Sequence, residues 1–211
     1  MADPAFLTSF QVQVAGIFFG LRASDGYLVA GGAGLLASDL IARPTEDIDL
    51  FASKPTSSVV EARDALLEAL HHRGHEVTVV QDSPTFCRMV VRHVDAELLV
   101  DLAIDSPPIS TPTMTLLGPT LAPIELAGRK LLALFGRAEA RDFADVYVLA
   151  QRFGKDALLE QALALDAGFD RMVLAQMLGT LERFTDDEVP LAASELDAAK
   201  AFFAAWAREL R

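Results

Sequence analysis

The hydrophobic period of this chain changes once, and that change limits the fold. Up to Asp105 the apolar residues form short strand-like runs between helical stretches, whereas from Ile124 onward the spacing is helical almost throughout. Breakers separate the two regions: Ser106-Pro107-Pro108, Pro112, Gly118-Pro119 and Pro123. Mixed α/β first and all-helical second predicts an α/β fold in two lobes. Residues 1–118 should carry a small mixed sheet flanked by helices, and residues 119–211 a helical bundle. A length of 211 residues suits one compact domain or two small packed lobes.

Within the first region, residues 4–22 read as an apolar helix and Tyr27–Ala30 as a short strand. Gly31-Gly32-Ala33-Gly34 breaks the pattern before a helix over 35–41. Residues 47–51 alternate as a strand, and 57–73 have helical spacing with Ser57 or Ser58 as N-cap. Strand-like runs follow at 75–80, 85–92 and 96–104, with a hairpin turn at His93-Val94-Asp95. In the second region helices are expected near 123–135, 139–153, 156–165, 169–184 and 192–210, with Gly136 and Gly154 as stops.

The chemistry is concentrated in acids. On a strand, alternate side chains share a face, so Asp47 and Asp49 present two carboxylates together while Ile48 and Leu50 face the core. Adjacent carboxylates repel unless a cation lies between them. Magnesium, which prefers oxygen ligands and keeps phosphate oxygens in its shell, suits such a pair. Asp101 sits in the apolar run Leu98–Ile104 and completes a three-acid cluster if that strand lies beside the first; Asp105 is its rival. Three carboxylates can hold two metals roughly 3.5–4 Å apart. The Gly31-Gly32 turn lets backbone approach a ligand, with N–H groups aimed at phosphate. The sequence is not a P-loop, because Gly-Lys-Ser/Thr is absent.

Charge and composition narrow the function classes. A net charge of −12 argues against a surface that holds nucleic acid throughout. The middle of the chain, 84–155, is neutral, with 8 basic and 8 acidic side chains, so Arg88, Arg92, Arg129 and Arg137 are candidates for a local basic patch. No apolar run reaches the ~18 residues of a membrane span. Met-Ala-Asp-Pro lacks a signal-peptide start, and the single cysteine, Cys87, excludes an intrachain disulfide. The expectation is a cytoplasmic protein with no membrane partner. Cys87 reads as core, Trp206 with Phe202 and Phe203 as packing of the last helix, and His71, His72 and His75 as a solvated helix end rather than a zinc site.

Three stretches resemble polymerase-beta-like nucleotidyltransferases, and within them the AbiEii/AbiGii toxin group that includes the MenT-like toxins. They are Leu28–Leu35 followed by Arg43-Pro44-Thr45-Glu46-Asp47-Ile48-Asp49-Leu50-Phe51, then Glu125–Leu134, then Arg141–Leu149. The resemblance implies catalytic roles for Asp47, Asp49, Asp101, Lys130 and Asp142. Asp47, Asp49 and Asp101 would hold Mg2+, two ions, with Mn2+ as a substitute. Gly31, Gly32, Arg43, Thr45, Lys130, Arg141 and Asp145 would contact the nucleotide. Many superfamily members have Gly-Ser in the first turn; here the second residue is Gly32, which leaves phosphate binding to backbone N–H groups or, less plausibly, to Ser38.

The implied reaction moves a nucleoside monophosphate from a triphosphate to an acceptor hydroxyl. The resemblance points to RNA, in particular the tRNA 3′ end, and to a cognate antitoxin as partner. The alternatives are a small-molecule or protein hydroxyl as acceptor, or an inactive nucleotide-binding module. Nucleotide is expected in a cleft between the lobes.

Overall fold

The computed structural model describes residues 7–53 and 57–211. Residues 4–6 of the expected first helix lie outside the described residues. Contacts divide the chain into two compact units, 1–123 and 124–211. That division falls beyond the expected boundary at Gly118/Pro119, because Gly118–Thr120 is a strand of the first unit's sheet.

The first unit opens with α1 (Ser9–Phe19), shorter than expected. Its start is set by a reciprocal cap: Gln11 N–H donates to Thr8 Oγ1 at 3.1 Å, and Thr8 N–H donates to Gln11 Oε1 at 2.8 Å. The strand β1 (Tyr27–Ala30) runs straight into α2 (Gly31–Ala37), so the glycine turn is itself the first turn of the helix. The helix therefore lies earlier than the expected 35–41. Its end is a Schellman-type cap in which Leu40 N–H bonds Leu35 O and Asp39 takes the left-handed position at φ 54°.

The remaining elements are β2 (Asp47–Ala52), α3 (Val59–His71), β3 (Glu76–Ser83), β4 (Phe86–His93) and β5 (Ala96–Ile104). Ser58 caps α3 by accepting from Glu61 N–H. The breaker-rich segment is not wholly loop: it carries a hairpin, β6 (Thr113–Thr115) and β7 (Gly118–Thr120). Its Gly118-Pro119 pair stands in β7, an edge-proximal position that tolerates proline.

The sheet is larger than expected, with seven strands in the order β3-β4-β5-β2-β1-β7-β6. The strand β2 is central, antiparallel to β1 and parallel to β5. Its burial alternates strictly: Ile48, Leu50 and Ala52 are buried, while Asp47, Asp49 and Phe51 are half-buried. Phe18 from α1, Leu66 and Leu70 from α3, and Ile48, Leu50, Met89, Val100 and Leu102 from the sheet make one core. That core holds the apolar face of β2 down and fixes its acidic face outward. Cys87 is fully buried in this core.

The second unit is helical: α4 (Pro123–Gly136), α5 (Ala140–Phe153), α6 (Lys155–Leu165), α7 (Arg171–Leu178) and α8 (Ala193–Glu209). The expected helix over 169–184 becomes α7 plus a 3-10 turn at Gly179–Arg183. Gly154 ends α5 and begins α6 with φ 86°, a left-handed value that suits glycine, whereas Gly136 is still inside α4. Phe203 packs edge-on against Phe143, and Phe202 against Tyr147 and Trp206; Phe143, Phe203 and Trp206 are buried. Among the described residues, no helix is long and apolar enough to cross a membrane.

Candidate active site

The first unit gathers its functional side chains around the acidic face of β2. The parallel register with β5 sets Asp49 directly beside Asp101, and the antiparallel register with β1 sets Asp49 beside Ala30, one residue before the glycine pair. Asp105 lies past the end of β5, where its Oδ1 accepts from Ser106 N–H at 2.7 Å. Asp101, not Asp105, therefore shares a row with Asp49. Asp101 is only 5 % exposed.

The glycine pair has a steric reason. Gly31 adopts φ 58°, and a Cβ added there would collide with Asp49 Oδ2 and stand 2.6 Å from its Cγ. A Cβ on Gly32 would meet Thr45 Oγ1 at 2.8 Å. Both glycines let the start of α2 lie flat against the side chains of the acid-bearing segment. Thr45 in turn donates from Oγ1 to Asp47 Oδ1 at 2.5 Å. The Thr45 carbonyl accepts from Gln11 Nε2 at 2.9 Å. Buried Gln11 thus ties α1 to the loop that aims Asp47, and at the same time closes the α1 cap. The Thr8-x-x-Gln11 capping signature was readable in the sequence; the contact with Thr45, 34 positions away, was not. Arg43 stands by the same turn, 3.8 Å from the Cβ position of Gly32, and Nη1 donates to Pro44 O.

Arg88 on β4 is the second residue that sequence reasoning did not place. It was read as part of a basic patch, yet β4 pairs with β5 so that Arg88 faces Asp101. Nε donates to Asp101 Oδ1 at 2.8 Å and Nη2 to Oδ2 at 2.6 Å. These hydrogen bonds to Asp101 are the main cause that strengthens Arg88's hold on its proton; the charges of Asp101, Asp49 and Asp47 add to it against the cost of burial. The other members of the expected patch also carry acidic partners: Arg92 pairs with Glu97 at 2.6 Å, Arg129 with buried Glu125 at 3.0 Å, and Arg137 with Asp142 at 3.0 Å. Each of the four arginines is thus engaged by an acid of its own unit.

Asp47 and Asp49 present hard carboxylate oxygens from one strand face, a donor set that fits magnesium with substrate phosphates completing the shell. Among the described residues, no group of three or more His, Cys, Asp or Glu side chains is gathered closely enough to hold a metal ion unaided.

In the second unit, Lys130 of α4 is 7 % exposed and stands between two acids of α5. Its Nζ is 3.3 Å from Asp142 Oδ1 and 3.0 Å from Asp145 Oδ2. Both aspartates are buried, and their i, i+3 spacing puts them on one helix face. A surface lysine with its stem lying on apolar residues does not describe this geometry. Asp142 also accepts from Arg137 Nε at 3.0 Å and from Glu139 N–H at 3.2 Å, closing the first turn of α5. Burial by itself would push the Asp142 carboxyl up, but the Arg137 hydrogen bonds and the Lys130 charge hold it below the usual value. Arg141 lies on the exposed side of the same turn, with Nε 2.8 Å from Glu139 Oε2. A pocket of about 380 Å³ opens beside Arg137 and is lined further by Gln176, Thr180, Arg183 and Phe184.

The histidine reading needs correction at one position. His71 and His72 are exposed at the end of α3, but His75 is buried, packed on Phe10 and His93, and neither ring nitrogen has a hydrogen-bond partner among the described residues. Burial first, then the positive charges of His93 and Arg73, pull its pKa down.

A family model described as nucleotidyl transferase AbiEii toxin, type IV toxin–antitoxin system, matches residues 22–211. The crystal structure of JHP933 from Helicobacter pylori superposes with a TM-score of 0.58 at 19 % identity, covering 97 % of this chain and 93 % of that one. A second H. pylori crystal structure, of a protein proposed to be a nucleotidyltransferase, gives a TM-score of 0.58 at 17 % identity, covering 97 % and 96 %. At such identities the likeness is one of fold. No curated protein matches the chain.

Proposed function

Because the chain belongs to the AbiEii nucleotidyl transferase toxin family, we propose that it transfers a nucleoside monophosphate from a triphosphate to a hydroxyl at the tRNA 3′ end. The observation that carries this reading is the row of Asp47 and Asp49 on β2 with Gly31 packed against Asp49. In the reaction an acceptor oxygen forms a bond to the α-phosphorus, the α–β bridging bond breaks, pyrophosphate leaves and the hydroxyl proton passes to solvent.

Asp47 and Asp49 hold the magnesium that accompanies the triphosphate, and Mn2+ substitutes for it. The ion, when bound, neutralises phosphate charge and polarises the phosphoryl group. Thr45 fixes the rotamer of Asp47, and Gln11 fixes Thr45. Gly31 and Gly32 keep the turn free of side chains, so that its backbone and Arg43 can lie against phosphate. On the family resemblance Lys130 acts on the nucleotide, and Asp142 and Asp145 hold its ammonium in place. Arg141 assists on the nucleotide. Catalysis on this reading is positioning and electrostatics.

An RNA acceptor agrees with the pocket at Arg137 and Arg183, where a phosphate would meet two guanidinium groups. The family description also implies a cognate antitoxin. A small-molecule or protein hydroxyl is the second reading. It is favoured by the acids that engage Arg88, Arg92, Arg129 and Arg137 in an acidic chain.

The test is label transfer from each of four α-labelled nucleoside triphosphates to total tRNA with magnesium, comparing wild type with Asp49→Ala. Label on RNA from wild type alone supports the reaction and identifies the base. Absence of label with every triphosphate overturns the tRNA assignment and moves the search to small-molecule and protein acceptors.

A further inference from the structure

Arg88 engages the carboxylate that a second metal ion would need as a ligand. Both oxygens of Asp101 are taken by its guanidinium, in a fork-to-carboxylate geometry at 2.8 and 2.6 Å. The pairing is built into the sheet, since Arg88 and Asp101 are register partners on β4 and β5, and Asp101 and Asp49 are register partners on β5 and β2. One row across three strands therefore reads cation, acid, acid. Phe86 adds a ring 5.6 Å from the guanidinium carbon. A metal ion that claimed Asp101 would have to break two charge-assisted hydrogen bonds at once and leave Arg88 beside a second cation.

Arg88 is also equipped to do more than neutralise Asp101. A guanidinium carries five N–H donors, and Asp101 uses two of them. Among the described residues, Asp101 is the one acceptor that its hydrogen bonds reach, and the side chain is 41 % exposed. The charges of Asp49 and Asp47 act on its guanidinium as well. An anion brought to Asp47 and Asp49 by a metal ion would find these donors next to it.

We propose that Arg88, clamped by Asp101, is the second cation of this site and binds triphosphate oxygens directly, and that Asp101 is its positioning residue rather than a metal ligand. This rests on the nucleotidyl-transfer reading above. It assigns one metal ion, at Asp47 and Asp49, where a cluster of three ligating carboxylates would hold two. The planar fork is what the arrangement requires, because a lysine ammonium cannot hold both Asp101 oxygens and still offer a flat edge of donors.

The test uses the full chain, Mn2+ as the metal probe and a non-hydrolysable nucleoside triphosphate analogue as the anion. Mn2+ binding is followed by paramagnetic resonance, and analogue binding by calorimetry at saturating Mn2+. Wild type is compared with Asp49→Asn, Asp101→Asn, Arg88→Met and Arg88→Lys. Thermal melts show which variants are folded, and Arg88→Lys serves as the conservative replacement.

The expected result is that Asp49→Asn loses Mn2+ affinity by about tenfold or more, whereas Asp101→Asn and Arg88→Met keep it. Both of the latter weaken the analogue by about tenfold, and combining them adds little, because they remove one shared device. Arg88→Lys recovers only part of the loss. Loss of Mn2+ affinity in Asp101→Asn equal to that in Asp49→Asn would overturn the proposal and make Asp101 a metal ligand. So would a second bound Mn2+ in Arg88→Met with analogue affinity unchanged. If wild type binds neither Mn2+ nor the analogue, the nucleotidyl-transfer reading itself fails, an outcome distinct from both.

Discussion

Replacing Gly31 by alanine separates a backbone effect from a site effect. At φ 58° a residue with a Cβ costs roughly 1–2 kcal/mol more than glycine. For a chain of this size that corresponds to a melting temperature lower by about 2–8 °C. The larger consequence is local. The new methyl would collide with Asp49 Oδ2 and stand 2.6 Å from Cγ, so the carboxylate must rotate off its present position or the strand must shift. Site geometry tolerates roughly 0.5 Å of displacement, so Mn2+ affinity should fall by about tenfold or more. Gly74→Ala provides the control. Gly74 has φ 78° and open space around its Cβ position, so it carries the same kind of strain without a collision. The assay is a thermal melt and an Mn2+ titration on each variant. Gly31→Ala should lose at least as much thermal stability as Gly74→Ala, and only Gly31→Ala should lose Mn2+. If Gly31→Ala binds Mn2+ as tightly as Gly74→Ala, then the packing of the glycine turn does not position Asp49, and the steric account is wrong.

Two further outcomes follow from the buried charges. Lys130→Met leaves Asp142 and Asp145 buried without their ammonium partner, and should cost about 3–5 kcal/mol in denaturant unfolding; adding Asp142→Asn should cost less than the sum of the two single changes, because the partners are shared. His75 binds its proton less readily when folded than the ordinary histidine value of 6.5, so the unfolded chain takes up that proton first. Stability should therefore be full above about pH 6.5 and decline as pH falls below it, and His75→Phe should flatten that decline in urea midpoints measured from pH 7 to 5.

What the sequence displayed and what it hid divide along physical lines. Alternation on 47–51 forced a strand with Asp47 and Asp49 on one face, because the pleat leaves no other arrangement once Ile48 and Leu50 are buried. The third acid was visible as a carboxylate in an apolar run, and its placement beside Asp49 depended only on β5 lying next to β2. The partners of these acids were not visible. Arg88 is 13 residues from Asp101, and only the β4–β5 register brings them together; by local pattern it is an ordinary strand arginine. Gln11 is by local pattern one polar residue in an apolar helix, and its contact with Thr45 exists only because the fold brings α1 near that loop. The β6–β7 hairpin escaped notice because its strands are three residues each, too short for any period to show. His75 was read as solvated because its neighbours in sequence are; the rings of Phe10 and His93 bury it.

The same device recurs in both units. Arg88 is held by Asp101, and Lys130 by Asp142 and Asp145; in each case an acid that is nearly or fully buried fixes a cation by hydrogen bonds. A chain with a net charge of −12 has no general field to attract a triphosphate, so attraction has to be local. Unclamped lysines and arginines would supply charge, but each would lose rotamer entropy on meeting phosphate. Cations already fixed by aspartates have lost that freedom on folding. The acids carry a cost as well, because each cancels part of the charge that it positions. That cost is bearable for Arg88, which spends two of its five donors on Asp101 and keeps a side chain that is 41 % exposed. It is greater for Lys130, whose single ammonium is shared by two carboxylates. The two cations should therefore differ in kind: truncating Arg88 should act mainly on triphosphate affinity, and truncating Lys130 on the stability of its helices as well.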